Sequence, residues 1–174
     1  SPAPTETREV GMIVARATGD DLDAICGLEE SGFDRSSWSR TAWLAEIEAD
    51  DRYVLVDRGA DGQVVAVATF SAVADTADLL RVVVAPEQRG KGLARQLVGA
   101  GIQWAQAFGA TRLLLEVEET NDAARRLYDR AGFRPIARRD DYYGAGRHAI
   151  VCELELEPLS PPSPVEIESE VAGV

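Results

Sequence analysis

Apolar residues along this chain recur at two spacings, and the alternation between them marks out the elements. Met12 to Ala17 alternates and predicts a first strand. Gly19-Asp20-Asp21 then offers a helix start, with Leu22, Ile25, Cys26 and Glu29 at helical spacing. Ser31 to Ser37 reads as a loop, and Trp38 to Ile47 as a second short helix with Trp43, Leu44 and Ile47 inward. Arg52 to Asp57 and Gln63 to Val73 predict a hairpin around the breaker-rich turn 58–62. A turn over Asp75 to Asp78 leads into the apolar strand Leu79 to Val84. After a glycine loop, Leu93, Leu97, Gly101, Trp104, Ala105 and Phe108 recur at helical spacing, and Gly109 marks the end. Thr111 to Glu118 predicts another strand, and Asn121 to Ala131 a helix stopped by Gly132 in a left-handed position. Phe133 to Arg139 and Arg147 to Glu157 predict the last two strands, joined by a loop over 140–146. The order β-α-α-β-β-β-α-β-α-β-β predicts an α/β (α+β) domain with a mixed, mostly antiparallel sheet.

Composition bounds what such a domain does. The 174 residues suit a single domain over 12–157. Residues 1–11 read as a flexible extension, and 158–174, with four prolines in its first seven positions, as a Pro-rich acidic tail. No apolar run approaches the ~18 residues of a membrane span, and no signal peptide is read at the start. Cys26 and Cys152 lie in apolar contexts and read as reduced core residues, so a cytoplasmic protein without a disulfide is expected. The net charge of −12 argues against nucleic acid as a direct partner and fits a basic one. One histidine and two scattered cysteines match no zinc spacing, so no metal is expected. His148 and Cys152, four apart on one strand, lie roughly 13 Å from each other, too far for a thiolate–imidazole pair. His148 reads as a structural strand residue.

Chemistry concentrates first in the loop Arg89-Gly90-Lys91-Gly92-Leu93-Ala94 between a strand and a helix. Such a turn aims unpaired N–H groups at one point, where the helix dipole favours negative charge. Gly90 and Gly92 let a phosphate approach the backbone. Arg81, Arg89, Lys91 and Arg95 oppose only Glu87 between residues 79 and 95, so the loop is locally cationic. A Walker loop is excluded because Gly92 stands where its hydroxyl belongs, and a dinucleotide fingerprint because Arg95 stands where its third glycine belongs. What remains is Arg/Gln-x-x-Gly-x-Gly/Ala, met by Arg89, Gly92 and Ala94.

A second constellation follows about thirty residues on. Leu115-Glu116-Val117 ends a strand, and Asn121, Ala124, Leu127, Tyr128, Gly132 and Phe133 follow as N-x-x-A-x-x-L-Y-x-x-x-G-F. Glu116 lies in an apolar run, where desolvation favours a usable base. Asn121, Ala124 and Tyr128 share one helix face, so the phenol can reach the same cleft. Taken alone, Glu116 reads as an exposed edge-strand carboxylate and Tyr128 as a core aromatic.

Both motifs together, in this order, resemble the GCN5-related N-acetyltransferases (GNAT), and more narrowly their RimI branch, over about residues 13–157. Glu29-x-x-x-Phe33 with Trp38-Ser39, and Arg138-Arg139-Asp140-Asp141-Tyr142-Tyr143, resemble segments of that branch. The chain departs from it at Ser37, where proline is usual, and in the closing strand His148 to Cys152. The resemblance implies the GNAT fold, a central sheet of about seven strands flanked by about four helices, and acetyl-CoA as cofactor. It implies that the backbone of Val82 and Val84 pairs with the pantetheine arm. The pyrophosphate then falls to Arg89, Gly90, Lys91, Gly92, Leu93 and Ala94, with Asn121 beside the cofactor. Glu116 acts as general base through water and Tyr128 as general acid, while Phe33, Trp38, Tyr142 and Tyr143 wall the acceptor slot. The implied acceptor is the N-terminal amine, alanine by resemblance, of a basic small-subunit ribosomal protein, and the enzyme is a monomer or weak dimer that engages neither nucleic acid nor membrane. Acetylation of lysine or a small amine, and an acyl-CoA-binding module without turnover, stay open beside it.

Overall fold

The computed structural model describes residues 13–32 and 37–159. The expected extension 1–11, Phe33 and the tail from Ser160 onward lie outside them. Seven strands form one sheet: β1 (Ile13–Arg16), β2 (Arg52–Arg58), β3 (Val64–Val73), β4 (Thr76–Val84), β5 (Arg112–Glu118), β6 (Arg134–Gly144) and β7 (Arg147–Glu155). Among the described residues four α-helices accompany it: α1 (Leu22–Gly32), α2 (Arg40–Glu48), α3 (Leu93–Phe108) and α4 (Asp122–Arg130). The strand order is β1-β2-β3-β4-β5-β7-β6, and only the β4–β5 pair is parallel. The mixed, mostly antiparallel sheet is as the pattern predicts.

Period-two alternation sends successive side chains to two different cores. Leu55, Phe70, Leu79, Leu113 and Leu115 meet Leu97 and Ala105 of α3 on one face, with Tyr128 of α4 packed against them. Val54, Val56, Val67 and Val83 meet Ile25, Leu28 and Trp43 of α1 and α2 on the other. Cys152 belongs to the first core and Cys26 packs on the second, so the sheet separates the two free thiols. No helix among the described residues is long and apolar enough to cross a membrane.

Several boundaries differ from the expected ones. Residues 76–78 are strand rather than turn: Thr76 and Asp78 alternate with buried Ala77 and Leu79 and pair with both β3 and β5. The reversal is confined to the residues before Thr76, where Ala74 adopts φ 54°. Trp38 lies outside α2, because the Ser39 hydroxyl accepts the Ala42 N–H at 3.1 Å and starts the helix at Arg40. The expected loop over 140–146 is mostly strand, since β6 runs to Gly144 through a register irregularity that holds Asp141 at φ 55°.

Candidate active site

The site begins where the sheet comes apart. β4 and β5 pair from Thr76/Arg112 to Leu79/Leu115 and no further, although both strands continue. The reason sits in β4: Thr69 faces Arg81 and Phe70 faces Leu79, so Leu80 is an extra residue without a partner on β3. A bulge of this kind bends and twists its strand. Past it, the β4 edge from Leu80 to Val84, including Val82 and Val84, carries backbone groups that β5 does not pair.

At the end of that free edge the chain turns through Ala85 and a single 3-10 turn, Pro86–Gln88, into the glycine loop. Gly90 (φ 79°) and Gly92 (φ 82°) are both left-handed, which a Cβ would strain, and open space surrounds both. Gly92 caps α3, whose first helical bond runs from the Gln96 N–H to the Gly92 carbonyl at 3.1 Å. The amides of Leu93, Ala94 and Arg95 therefore have no acceptor in the preceding turn. The Leu93 side chain is buried in the α3 core, so only its backbone faces the loop. Arg89 and Lys91 are exposed, Lys91 Nζ donating to Gln88 Oε1 at 3.1 Å. Arg81, expected beside them, instead forms a buried ion pair with Glu29 on the α1 side of the sheet.

That same side carries an aromatic and carboxylate cluster. Glu116 is half-buried, its Oε1 3.4 Å from Arg139 Nε. Hydrogen bonding to the Glu116 carboxylate is the main cause that raises the Tyr142 phenol above its ordinary range. Arg139 lies 5.5 Å over the Tyr142 ring, which meets Tyr143 edge-on at 5.0 Å. Arg147 grips Glu118 at 2.8 and 2.9 Å, holding that carboxyl below its usual range, and covers the Tyr143 ring at 5.9 Å. Burial, then the Glu116 charge, pushes Tyr143 up to about 12.

Asp78 is a further member that motif reading passes over. It pairs with Leu114, two residues before Glu116, and shares the Glu116 face by alternation. Burial raises its carboxyl above the ordinary value and the Glu116 charge adds to this, while Arg112 and Arg52 pull it down. Both arginines are committed elsewhere, Arg112 to Glu153 at 3.3 Å and Arg52 to Glu46 at 3.1 Å. Its signal in the sequence was a lone acid within an apolar alternation, absorbed by the turn expected there.

Tyr128 comes from the opposite face. It packs on the core that holds Leu115 and Val117, against Phe133 at 5.8 Å, whereas Glu116 points away from that core. The expectation that both line one cleft is corrected accordingly: strand alternation roots them on opposite faces. The Tyr143 charge adds to the burial that raises Tyr128, and the Glu116 charge adds to the burial that raises Tyr143. Burial pushes the Tyr128 phenol up to about 12. A hollow of about 320 Å³ opens beside it, lined by Arg125, Phe133 and Cys152 among others. A larger one of about 640 Å³, between α1 and the β2–β3 turn, contains none of the expected site residues.

The remaining expected residues take quieter positions. Asn121 caps α4, its Oδ1 accepting the Ala124 N–H at 3.2 Å. Trp38 is half-buried, with Arg81 5.2 Å over its ring. His148 Nδ1 accepts the Asp141 N–H at 3.0 Å, a strand-closing role. Burial pushes the Cys152 thiol up, away from nucleophilic use. No group of side chains among the described residues could hold a metal ion.

Comparison with known proteins now bears on this arrangement. The model of the acetyltransferase (GNAT) family matches residues 21–133. The chain belongs to that family. The [ribosomal protein bS18]-alanine N-acetyltransferase of Haemophilus ducreyi is 32% identical over 68% of this chain and 83% of its own length. The crystal structure of the ribosomal-protein-S18-alanine N-acetyltransferase from Escherichia coli superposes with a TM-score of 0.78 at 24% identity, covering 88% of this chain and 98% of that one. Salmonella typhimurium yncA, solved with its cofactor acetyl-CoA, superposes with a TM-score of 0.74 at 24% identity, covering 88% and 99%.

As a GNAT acetyltransferase the chain uses acetyl-CoA, and its own residues fit that donor. The free edge of β4 offers strand-like hydrogen bonds to an amide-bearing arm. The amides at the start of α3 and the two left-handed glycines offer an anion cradle on the α3 side.

Proposed function

We propose that this GNAT enzyme transfers acetyl to the α-amine of a protein N-terminus, with the alanine of a small-subunit ribosomal protein of the S18 type as acceptor. The observation that carries the reading is the gap past Leu79/Leu115. On this reading the glycine turn and Tyr128 serve it from the α3 side, and Glu116, Asp78 and Tyr142 from the other. Donor and acceptor then approach through opposite faces and meet where the strands part.

Acetyl-CoA supplies the activated acyl group, held by the backbone of Val82 and Val84 and by residues 89–94, with Asn121 beside it. Glu116, through water, takes the proton of the incoming amine, and Asp78 adds negative charge at the same spot. Tyr128 holds a proton at its hydroxyl for the departing sulfur, the state that its high pKa keeps filled. Trp38, Tyr142 and Tyr143 wall the acceptor slot. An α-amine has a pKa of ~7.7–8.0 against ~10.4 for lysine, so freeing the lysine amine near pH 7.5 costs roughly 3 kcal/mol more. One carboxylate base suits the former. The names of the relatives support ribosomal S18 as acceptor, and a surface at −12 suits a basic protein. A cytoplasmic setting follows from that acceptor.

The test is mass spectrometry of peptides bearing the N-terminal residues of ribosomal protein S18, incubated with acetyl-CoA and the enzyme. The expected product carries one acetyl on the α-amine. Modification confined to lysine, with N-terminally blocked peptides reacting equally well, overturns the assignment.

A further inference from the structure

Arg81 is the one strongly basic side chain of the splayed stretch of β4 (Leu80–Val84), and it points away from the phosphate cradle. It follows the bulged Leu80 directly. Its guanidinium meets Glu29 of α1 through two nitrogens, Nε to Oε1 and Nη2 to Oε2, the latter at 2.8 Å. The Glu29 side chain is 1% exposed and that of Arg81 12%. Glu29 Oε2 also accepts the backbone N–H of Trp38 at 3.3 Å, and the guanidinium covers the Trp38 ring at 5.2 Å. One buried ion pair thus holds both the backbone and the ring of Trp38, across 52 residues of chain.

The end of α1 is fixed to the same strand from a second point. A Cβ on Gly32 would lie 3.1 Å from Val83 Cγ1 and 3.9 Å from Arg89 Nη2. The last turn of α1 therefore rests on β4 and reaches the cradle arginine. Burying two charges is costly unless geometry and extra hydrogen bonds compensate, so such a pair is weak as a source of stability and better suited to fixing one arrangement.

We propose that Arg81 is a positioning residue for the acceptor: through its buried pair with Glu29 it fixes Trp38 as a wall of the acceptor slot. This rests on the reading of Trp38 as an acceptor wall. Arginine is needed for it, because lysine keeps the charge but loses the two-pronged contact and the flat face that covers the indole.

Two measurements test it. The chain has three tryptophans, so 19F NMR of 5-fluorotryptophan-labelled protein gives three resonances, with Trp38 assigned through Trp38→Phe. In Arg81→Lys the Trp38 resonance is expected to shift and broaden, with a smaller shift at Trp43, whose ring lies 5.0 Å from it, while Trp104 in the other core stays. In steady-state kinetics the same variant is expected to raise the acceptor KM about tenfold with the acetyl-CoA KM unchanged. Arg81→Ala risks misfolding by stranding Glu29, so Glu29→Leu/Arg81→Met, which removes both charges, serves as the second variant. It is expected to fold and to show the same KM split. An unmoved Trp38 resonance, or equal changes in both KM values, overturns the proposal. A moved resonance in an enzyme that acetylates no α-amine upholds the positioning and instead overturns the assigned acceptor.

Discussion

Glu116 and Asp78 are two carboxylates on one face with different company: Glu116 has Arg139 and the Tyr142 hydroxyl, while the Asp78 side chain has no such partner among the described residues. The Glu116 charge raises Asp78, so in Glu116→Gln the Asp78 carboxyl is expected to titrate at lower pH, read by 13C NMR. Turnover in that variant is expected to fall about 10²-fold with cofactor affinity nearly intact. Tyr128→Phe is expected to lower kcat by a similar factor. Because the Tyr128 phenol sits at about 12, no basic limb below pH 10 in the rate profile belongs to it. Asp57 makes a prediction independent of chemistry. It is fully buried, neither carboxylate oxygen has a hydrogen-bond partner among the described residues, and burial raises its pKa. As pH rises past the ordinary carboxylate value the unfolded chain releases this proton before the folded one does, so its contribution to stability falls with rising pH. Asp57→Asn is expected to be about 1 kcal/mol or more stabilising at pH 8. The gain shrinks toward pH 4, as urea denaturation at both would report.

At the level of elements, the contact between α3 and β3 is closer than an ordinary helix allows. A Cβ on Gly101 would lie 2.0 Å from the Phe70 ring. Alanine gains about 1 kcal/mol in helix propensity, but overpacking costs typically 1–3 kcal/mol, so Gly101→Ala is expected to lower Tm. Gly101→Ala/Phe70→Leu is expected to recover part of the loss. Where apolar spacing was regular, as in α3 and β5, the elements were legible in the sequence. Where polar residues sit in strands they were not: Thr76 and Asp78 read as a turn, and the exposed second half of β6, from Asp140 to Gly144, read as a loop although its first half was expected as strand. The bulge at Leu80 left no trace, because a bulge is a relation between two strands and only one is local.

For the whole molecule, charge is the property that acts at a distance. A surface at −12 attracts a basic acceptor over the ~10 Å that 0.1 M salt leaves unscreened. The acceptor kcat/KM is therefore expected to fall between 50 and 500 mM NaCl for a basic peptide, and to change little for the same peptide with its downstream arginines replaced by glutamine. The glycine loop, the strand bearing Glu116 and the helix bearing Tyr128 could all be named from the sequence, because backbone conformation and side-chain period are local. Which face each side chain takes could not. Alternation states that Glu116 and Leu115 diverge, but only the packing of α4 on the Leu115 side roots Tyr128 opposite Glu116. Likewise Arg81 reads as a cradle cation until α1 folds across β4 and brings Glu29 to it. Local chemistry was thus written in the order of residues, and the partnership of charges across the sheet was decided by tertiary packing, because it joins groups far apart in the chain.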